Sequence, residues 1–174
     1  MRIRRQAFEQ KISKEVEKMV NESRFSMTRD FIQHGDVSVF VHCICVAYMS
    51  CVITRVLNIR VNLSALIVGA LLHDYFLYDW HDGELCRKVH GFTHPFKACK
   101  NAKEDFELSY LEENIIKRHM FPLVPVPPRY REAWVVCLAD KICATEETLM
   151  GHCKGRKMEF AKELLDKNSI FEEG

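Results

Sequence analysis

Apolar residues recur every three to five positions along most of this chain and almost nowhere alternate, so the pattern predicts helix after helix and no strand. Over residues 1–22, Ile3, Phe8, Ile12, Val16 and Val20 line one side of a charged amphipathic helix. Residues 37–57 are apolar nearly all round, the mark of a central buried helix, with Asp36 as the expected N-cap. The next helix opens at Asn62 or Leu63 and runs through LSALIVGALLHDYFL to the polar break YDWHDGE. Thr93 is the expected N-cap of THPFKACKNAKEDFE, because Pro95 then falls in the first turn, where its missing N–H removes no hydrogen bond. Ser109 and Glu112 form a capping box before LEENIIKRHM, which must end before Pro122. Prolines 122, 125, 127 and 128 make FPLVPVPP a rigid extended connector. Residues 129–150 read as one long helix stopped by Gly151, and residues 156–167 as a last amphipathic one. The fold class is therefore all-α, a single compact bundle of about six or seven helices. It spans residues 1–174, with a motif-bearing core at 33–147 and terminal helices at 1–24 and 156–168 packed on it.

Composition narrows the function classes. A chain of 174 residues has the length of one domain. Lys plus Arg total 25 against 24 Asp plus Glu, and a net charge of +1 excludes a broad basic face for nucleic acid. The most apolar stretch, residues 61–72, contains Asn62 and Ser64 and is shorter than the roughly 18–20 residues a bilayer span requires, so no membrane partner is expected. Early arginines are followed by no signal-type apolar run. Eight cysteines without a C-x-x-C pair argue against a zinc ribbon and for the reduced thiols of a cytoplasmic protein.

Two carboxylates stand where a soluble helix should be apolar. Asp74 follows His73 at the end of the most apolar helix, and Asp140 lies in VVCLADKICA. Burying an ionised carboxylate costs several kcal/mol unless a strong partner is present, and a divalent cation is an effective one. His42, His94 and His119 fall on other predicted helices, so the bundle brings four imidazoles and two carboxylates inward from five segments. By ligand softness such a set suits Fe, Mn, Zn, Co or Ni.

In chain order these residues read H…HD…H…H…D, within VHCICVA, LLHDYFLYDWH, GFTHPFKACKNA, IIKRHMFPL and LADKICATEE. The sequence resembles the HD-domain superfamily of metal-dependent phosphohydrolases, in particular its small stand-alone bacterial members with a dinuclear ligand set. The resemblance implies that His42, His73, Asp74 and Asp140 bind a first divalent ion, that Asp74 bridges to a second, and that His94 and His119 complete the second site. It further implies hydrolysis of a phosphoester or phosphoanhydride of a small phosphorylated compound, a nucleotide first among them, by a metal-activated hydroxide. Two alternatives stand beside it, a dinuclear iron oxygenase of the same family and a non-catalytic metal-binding regulatory module.

Asp74 and Lys141 are the candidate catalytic residues. Lys141, Arg118 and Arg129 flank the ligand positions as candidate phosphate binders, and Lys117 shares their neighbourhood. His34 and His81, each eight residues from a ligand histidine, are candidates for the pocket rim. Tyr78 and Trp80 read as loop anchors on the core, His90 and His152 as surface residues, and Cys43, Cys45 and Cys51 as small buried hydrophobes. Without cations, Asp74 and Asp140 are expected to repel each other, with pKa values raised by burial and like charge.

Overall fold

The computed structural model describes residues 4–79 and 84–169, without the side chains of residues 34, 84–88 and 169. The chain is all-α. Seven α-helices follow in order among the described residues: α1 (Arg5–Glu22), α2 (Val39–Val56), α3 (Leu63–Leu72), α4 (Glu84–Asp105), α5 (Tyr110–Arg118), α6 (Arg131–Met150) and α7 (Arg156–Ser169). A 3-10 turn (Arg24–Arg29) and a two-stranded antiparallel hairpin, β1 (Ile32–His34) and β2 (Val37–Ser38), lie between α1 and α2.

The sequence pattern predicted no strand, and the hairpin corrects it, since strands of three and two residues are too short to show alternation. Gly35 turns the hairpin at φ 58°, and a Cβ there would stand 3.3 Å from the Cα of Gly151, so the turn presses on the end of α6. Asp36 belongs to this turn, and Ser38 caps α2 in its place, its side chain accepting from the Val41 N–H at 3.4 Å.

Helix α2 is the centre of the molecule, with α1, α3, α6 and α7 packed on it. By length and composition it is apolar enough to cross a membrane, which the shorter run at residues 61–72 is not. Its neighbours bury 72% of it, and that covering makes it a core helix. Helix α1 presents Phe8, Ile12, Val16 and Met19 to the same core, while Val20 is only partly buried and Ile3 lies outside the described residues.

Helix α3 starts with the Asn62 side chain accepting from the Ala65 N–H, and the Asn62 N–H donates to buried Glu132 Oε1 at 2.8 Å, pinning it to the start of α6. It ends at Leu72, earlier than the apolar run predicts, and His73 is its C-cap. Helix α4 begins well before Thr93, with Pro95 in its interior. The proline removes one intrahelical donor rather than the helix, and the neighbouring side chains turn back on the carbonyls, Thr93 Oγ1 to Val89 and His94 Nδ1 to His90. The capping box at Ser109 and Glu112 forms as the sequence predicts. At the end of α6, Gly151 takes φ 75°, the left-handed conformation of a C-terminal stop.

Gly69 sits where α3 meets α5. A Cβ there would stand 2.6 Å from Ile115 Cδ1 and 2.9 Å from its Cβ. Gly69→Ala is therefore expected to force the two helices apart and to destabilise by about 1–3 kcal/mol despite its better helix propensity. A denaturant or thermal melt showing the variant equal to or above wild type would contradict this packing.

Candidate metal centre

Four helices and the turn after α3 deliver the chemistry to one buried place. His42 comes from the first turn of α2, His73 and Asp74 from the end of α3, His94 from mid-α4, His119 from the end of α5 and Asp140 from mid-α6. All six are nearly or fully inaccessible to solvent, Asp140 being the most open at 6%.

Each imidazole is held by its Nδ1. His73 Nδ1 lies 2.7 Å from the Ala70 carbonyl, His94 Nδ1 2.8 Å from that of His90, and His119 Nδ1 2.8 Å from that of Ile116. His42 Nδ1 lies 2.8 Å from Glu147 Oε2. A carbonyl or carboxylate accepts only, so each Nδ1 carries the proton and each Nε2 is left facing the centre.

Asp74 divides the cluster. Its Oδ2 faces His42 Nε2 (3.6 Å) and His73 Nε2 (3.4 Å), while Oδ1 faces His94 Nε2 (3.1 Å) and His119 Nε2 (3.4 Å). Asp140 Oδ1 closes the first side, 3.3 Å from His42 Nε2 and 3.7 Å from His73 Nε2. Two triads, His42–His73–Asp140 and His73–Asp74–His119, bring their ligand atoms within 4.8 Å of one another. Ligands bonded at about 2.1 Å to a common ion stand about 3.0–3.4 Å apart, close to these separations.

Two features of the protein alone call for a cation. His94 Nε2 and His119 Nε2 approach to 2.9 Å, although with both Nδ1 atoms donating, the neutral rings turn two lone pairs towards each other. His73 Nε2 and Asp74 Oδ1 are buried without a hydrogen bond of normal geometry among the described groups. The donor set fits a divalent metal.

The electrostatics reverse one expectation. Burial would raise Asp74, but His73 and His94 outweigh it and hold the carboxyl well below the usual range; His42 and His73 do the same for Asp140. Sequence order sets carboxylate against carboxylate, whereas the fold surrounds the pair with four imidazoles. Burial would lower His42 and His73, yet Glu147 and Asp140 raise the first well above 6.5, and Asp74 with Cys43 does so for the second. His119 is lowered by burial in spite of Asp74. Burial pushes Glu147 up to about 7, against the pull of His42.

A cavity of about 660 Å³ opens onto Asp74, His94, His119 and Asp140. Gln33, His90 and Lys141 supply its polar rim, and Gly91, Met120, Pro122, Leu123 and Ala144 its apolar wall. Lys141 Nζ donates to the His119 carbonyl at 3.0 Å and approaches the Cys137 carbonyl and Sγ. Arg118 and Arg129 are not brought here. They line a separate surface depression with Tyr110, Glu113 and Tyr130, and the Arg129 N–H donates to Asn114. One residue along a helix is a rotation of about 100°, so adjacency to His119 turns Arg118 away from the cavity. The His34 side chain and His81 lie outside the described residues, as does Trp80.

His90 is not a surface residue. It is 7% exposed, stacks on His94 at 4.4 Å and pairs with the Tyr78 hydroxyl at 2.9 Å. Sequence reasoning also missed Gln33, whose Nε2 donates to Asp74 Oδ2, and Glu147. Nothing in the local pattern marks Gln33, because the hairpin that carries it is itself silent in the sequence. Glu147 had a signal, standing seven residues after Asp140 on the same buried side of α6.

An all-α fold built around a buried His/Asp cluster compatible with a metal site defines the class of protein. A family model described as HD domain matches residues 39–145, a span that holds all six residues of the cluster. The chain belongs to the HD-domain family, whose members are mostly metal-dependent phosphohydrolases. No curated protein and no solved structure matches the chain significantly.

Proposed function

We propose that the protein is a metal-dependent phosphohydrolase acting on a phosphoester or phosphoanhydride of a small compound, nucleotides included, in a cytoplasmic setting. The observation that carries this reading is Asp74, with one oxygen facing each of two imidazole pairs. His42, His73, Asp74 and Asp140 would hold one cation, and Asp74, His94 and His119 a second. Bound divalent cations supply Lewis acidity at a phosphoryl oxygen and make hydroxide available near neutral pH.

The chain's own residues do the rest. The Nδ1 anchors hold every imidazole in the tautomer whose Nε2 binds a cation. The wall formed by Met120, Pro122 and Leu123 limits water around the reacting group. Lys141 is the one cationic side chain among the described residues of the cavity, and its ammonium meets the charge of the phosphoryl group.

Metal analysis of the anaerobically purified chain, combined with a phosphate-release screen over mononucleotides, dinucleotides and simple phosphomonoesters, tests the proposal. Release that depends on added Mn²⁺, Zn²⁺, Co²⁺ or Ni²⁺ supports it. Stoichiometric iron with no phosphate release under any metal would overturn it in favour of dioxygen chemistry. In the same assay Lys141→Ala is expected to raise KM several-fold with a smaller effect on kcat, about the loss of one charge-assisted hydrogen bond. An unchanged KM with a large fall in kcat would instead place the ammonium in the transition state.

A further inference from the structure

Three of the four imidazoles rest on neutral backbone, His73 on Ala70, His94 on His90 and His119 on Ile116. His42 is backed by a carboxylate, its Nδ1 2.8 Å from Glu147 Oε2. Glu147 is fully inaccessible to solvent, and its other oxygen accepts from Cys153 Sγ at 3.0 Å. With each oxygen engaged by its own partner, the carboxylate is held in place. Neither Glu147 nor Cys153 lines the cavity, so neither is placed to touch a substrate. A buried carboxylate is unfavourable unless its charge is used, and here it is directed at the back of a ligand ring.

We propose that Glu147 is a positioning residue for the metal centre: it fixes His42 with Nε2 turned towards Asp74 and Asp140, and its charge makes that imidazole a stronger cation ligand than its three carbonyl-backed neighbours. The inference rests on the metal reading given under Proposed function. An imidazole that donates to an anion is more electron-rich at its other nitrogen, and its ring cannot swing out of register. The same helix, α6, supplies Asp140 from within and Glu147 from behind, two turns apart, so both reach the His42 side of the cluster from one rigid support. Cys153 follows the Gly151 stop, and its thiol ties the returning chain to that support. Removing the charge of Glu147 should therefore weaken cation binding on the His42 side and spare the His94–His119 side.

Calorimetric titration of Mn²⁺ into the metal-stripped full-length chain tests this, with circular dichroism as the check on folding. Glu147→Gln is expected to stay helical and to lose about 10–100-fold in affinity in one binding step. That step should be the one that survives in His119→Ala. Cys153→Ser keeps a donor to Glu147 and should bind as wild type does. Glu147→Gln with wild-type affinity in every step, or a loss confined to the step that His119→Ala removes, would overturn the proposal. Should Glu147→Gln fail to fold, Glu147→Asp decides, because it keeps the charge but draws the carboxylate back from His42 Nδ1 by one methylene. A several-fold weakening of the same step is expected there, and unchanged affinity overturns the inference. Absence of any Mn²⁺ binding in wild type would overturn the metal reading itself, an outcome distinct from intact binding that ignores Glu147.

Discussion

Asp74→Asn is expected to abolish turnover, with kcat falling further than the roughly 10–100-fold that follows loss of a group behind a metal ligand. The reason lies in the number of ligands one side chain provides. Each oxygen of Asp74 faces a different pair of imidazoles, Oδ2 towards His42 and His73, Oδ1 towards His94 and His119. An amide keeps one acceptor and turns two N–H donors towards nitrogens that should meet a cation, so it subtracts a ligand from one side and the charge that both sides share. The Gln33 Nε2 that now donates to Oδ2 must also find the remaining oxygen or lose its bond. Phosphate release and metal content measured on the same preparation check this. The variant should retain less metal than wild type while its helical signal is unchanged, and a kcat within tenfold of wild type would remove Asp74 from the centre of the chemistry.

Chelation is expected to lower the melting temperature without unfolding the chain at ambient temperature, and the gap between chelated and metal-loaded protein should widen as pH rises. The core of α1, α2, α3 and their neighbours is extensive and owes nothing to the cluster, so the metal-free chain keeps its helices. A cation at a hundred times its Kd contributes about 2.7 kcal/mol, which for a chain of this length is roughly 5–11 °C. The pH dependence of the metal-free protein follows from the groups around the centre. His42 and His73 have folded pKa values well above 6.5, so their stabilisation is complete below the unfolded value and is lost as pH rises through the folded ones. Glu147, raised to about 7, adds a loss between its unfolded value and pH 7. His119, lowered, works the other way, destabilising as pH falls below 6.5. Asp74 and Asp140, both depressed, contribute stability that is present above the ordinary carboxylate range and lost only in acid, outside this window. Two strongly raised histidines and a raised glutamate outweigh one lowered histidine, so the metal-free protein should melt lower at pH 9 than at pH 6. Metal binding requires deprotonated imidazoles and strengthens over the same range. Thermal melts with and without chelator from pH 6 to 9 test both signs. A melting temperature indifferent to chelator would mean that the six residues are held by one another alone.

The acid–base prediction shows how local sequence and assembled structure part company. From the sequence, Asp74 and Asp140 are two like charges in one cleft, which predicts raised pKa values. In the fold, imidazoles from three other helices stand around Asp74, and His42 and His73 stand beside Asp140, closer than sequence order reveals, so the sign reverses. Raised carboxylates would also make the metal-free protein less stable at high pH, but in the fold that loss is carried by His42, His73 and Glu147.

Several elements were legible because their causes are local. The amphipathic side of α1, the capping box at Ser109 and the Gly151 stop depend on residues within one or two turns, so spacing and residue type are enough. The buried position of Asp140 was legible for a related reason, since a carboxylate in an apolar helix needs a partner whatever the fold. Boundaries set by competition were not. Pro95 lies inside α4, and Asp36 yields its expected cap to Ser38, because the packing of α4 and the hairpin before α2 outweigh local preference.

The sequence by itself determined that the chain is helical, that His42, His73, Asp74, His94, His119 and Asp140 stand in the order H…HD…H…H…D, and which family the chain belongs to. Only the tertiary structure decided what stands around them. It places Lys141 at the cavity and Arg118 and Arg129 elsewhere, brings Gln33 and His90 in, and sets Glu147 behind His42. The physical reason is that a side chain's direction depends on helix rotation and on the crossing of elements far apart in the chain. One position along a helix turns a group by about 100°, while a neighbour in space can be more than a hundred residues away, as Glu147 is from His42.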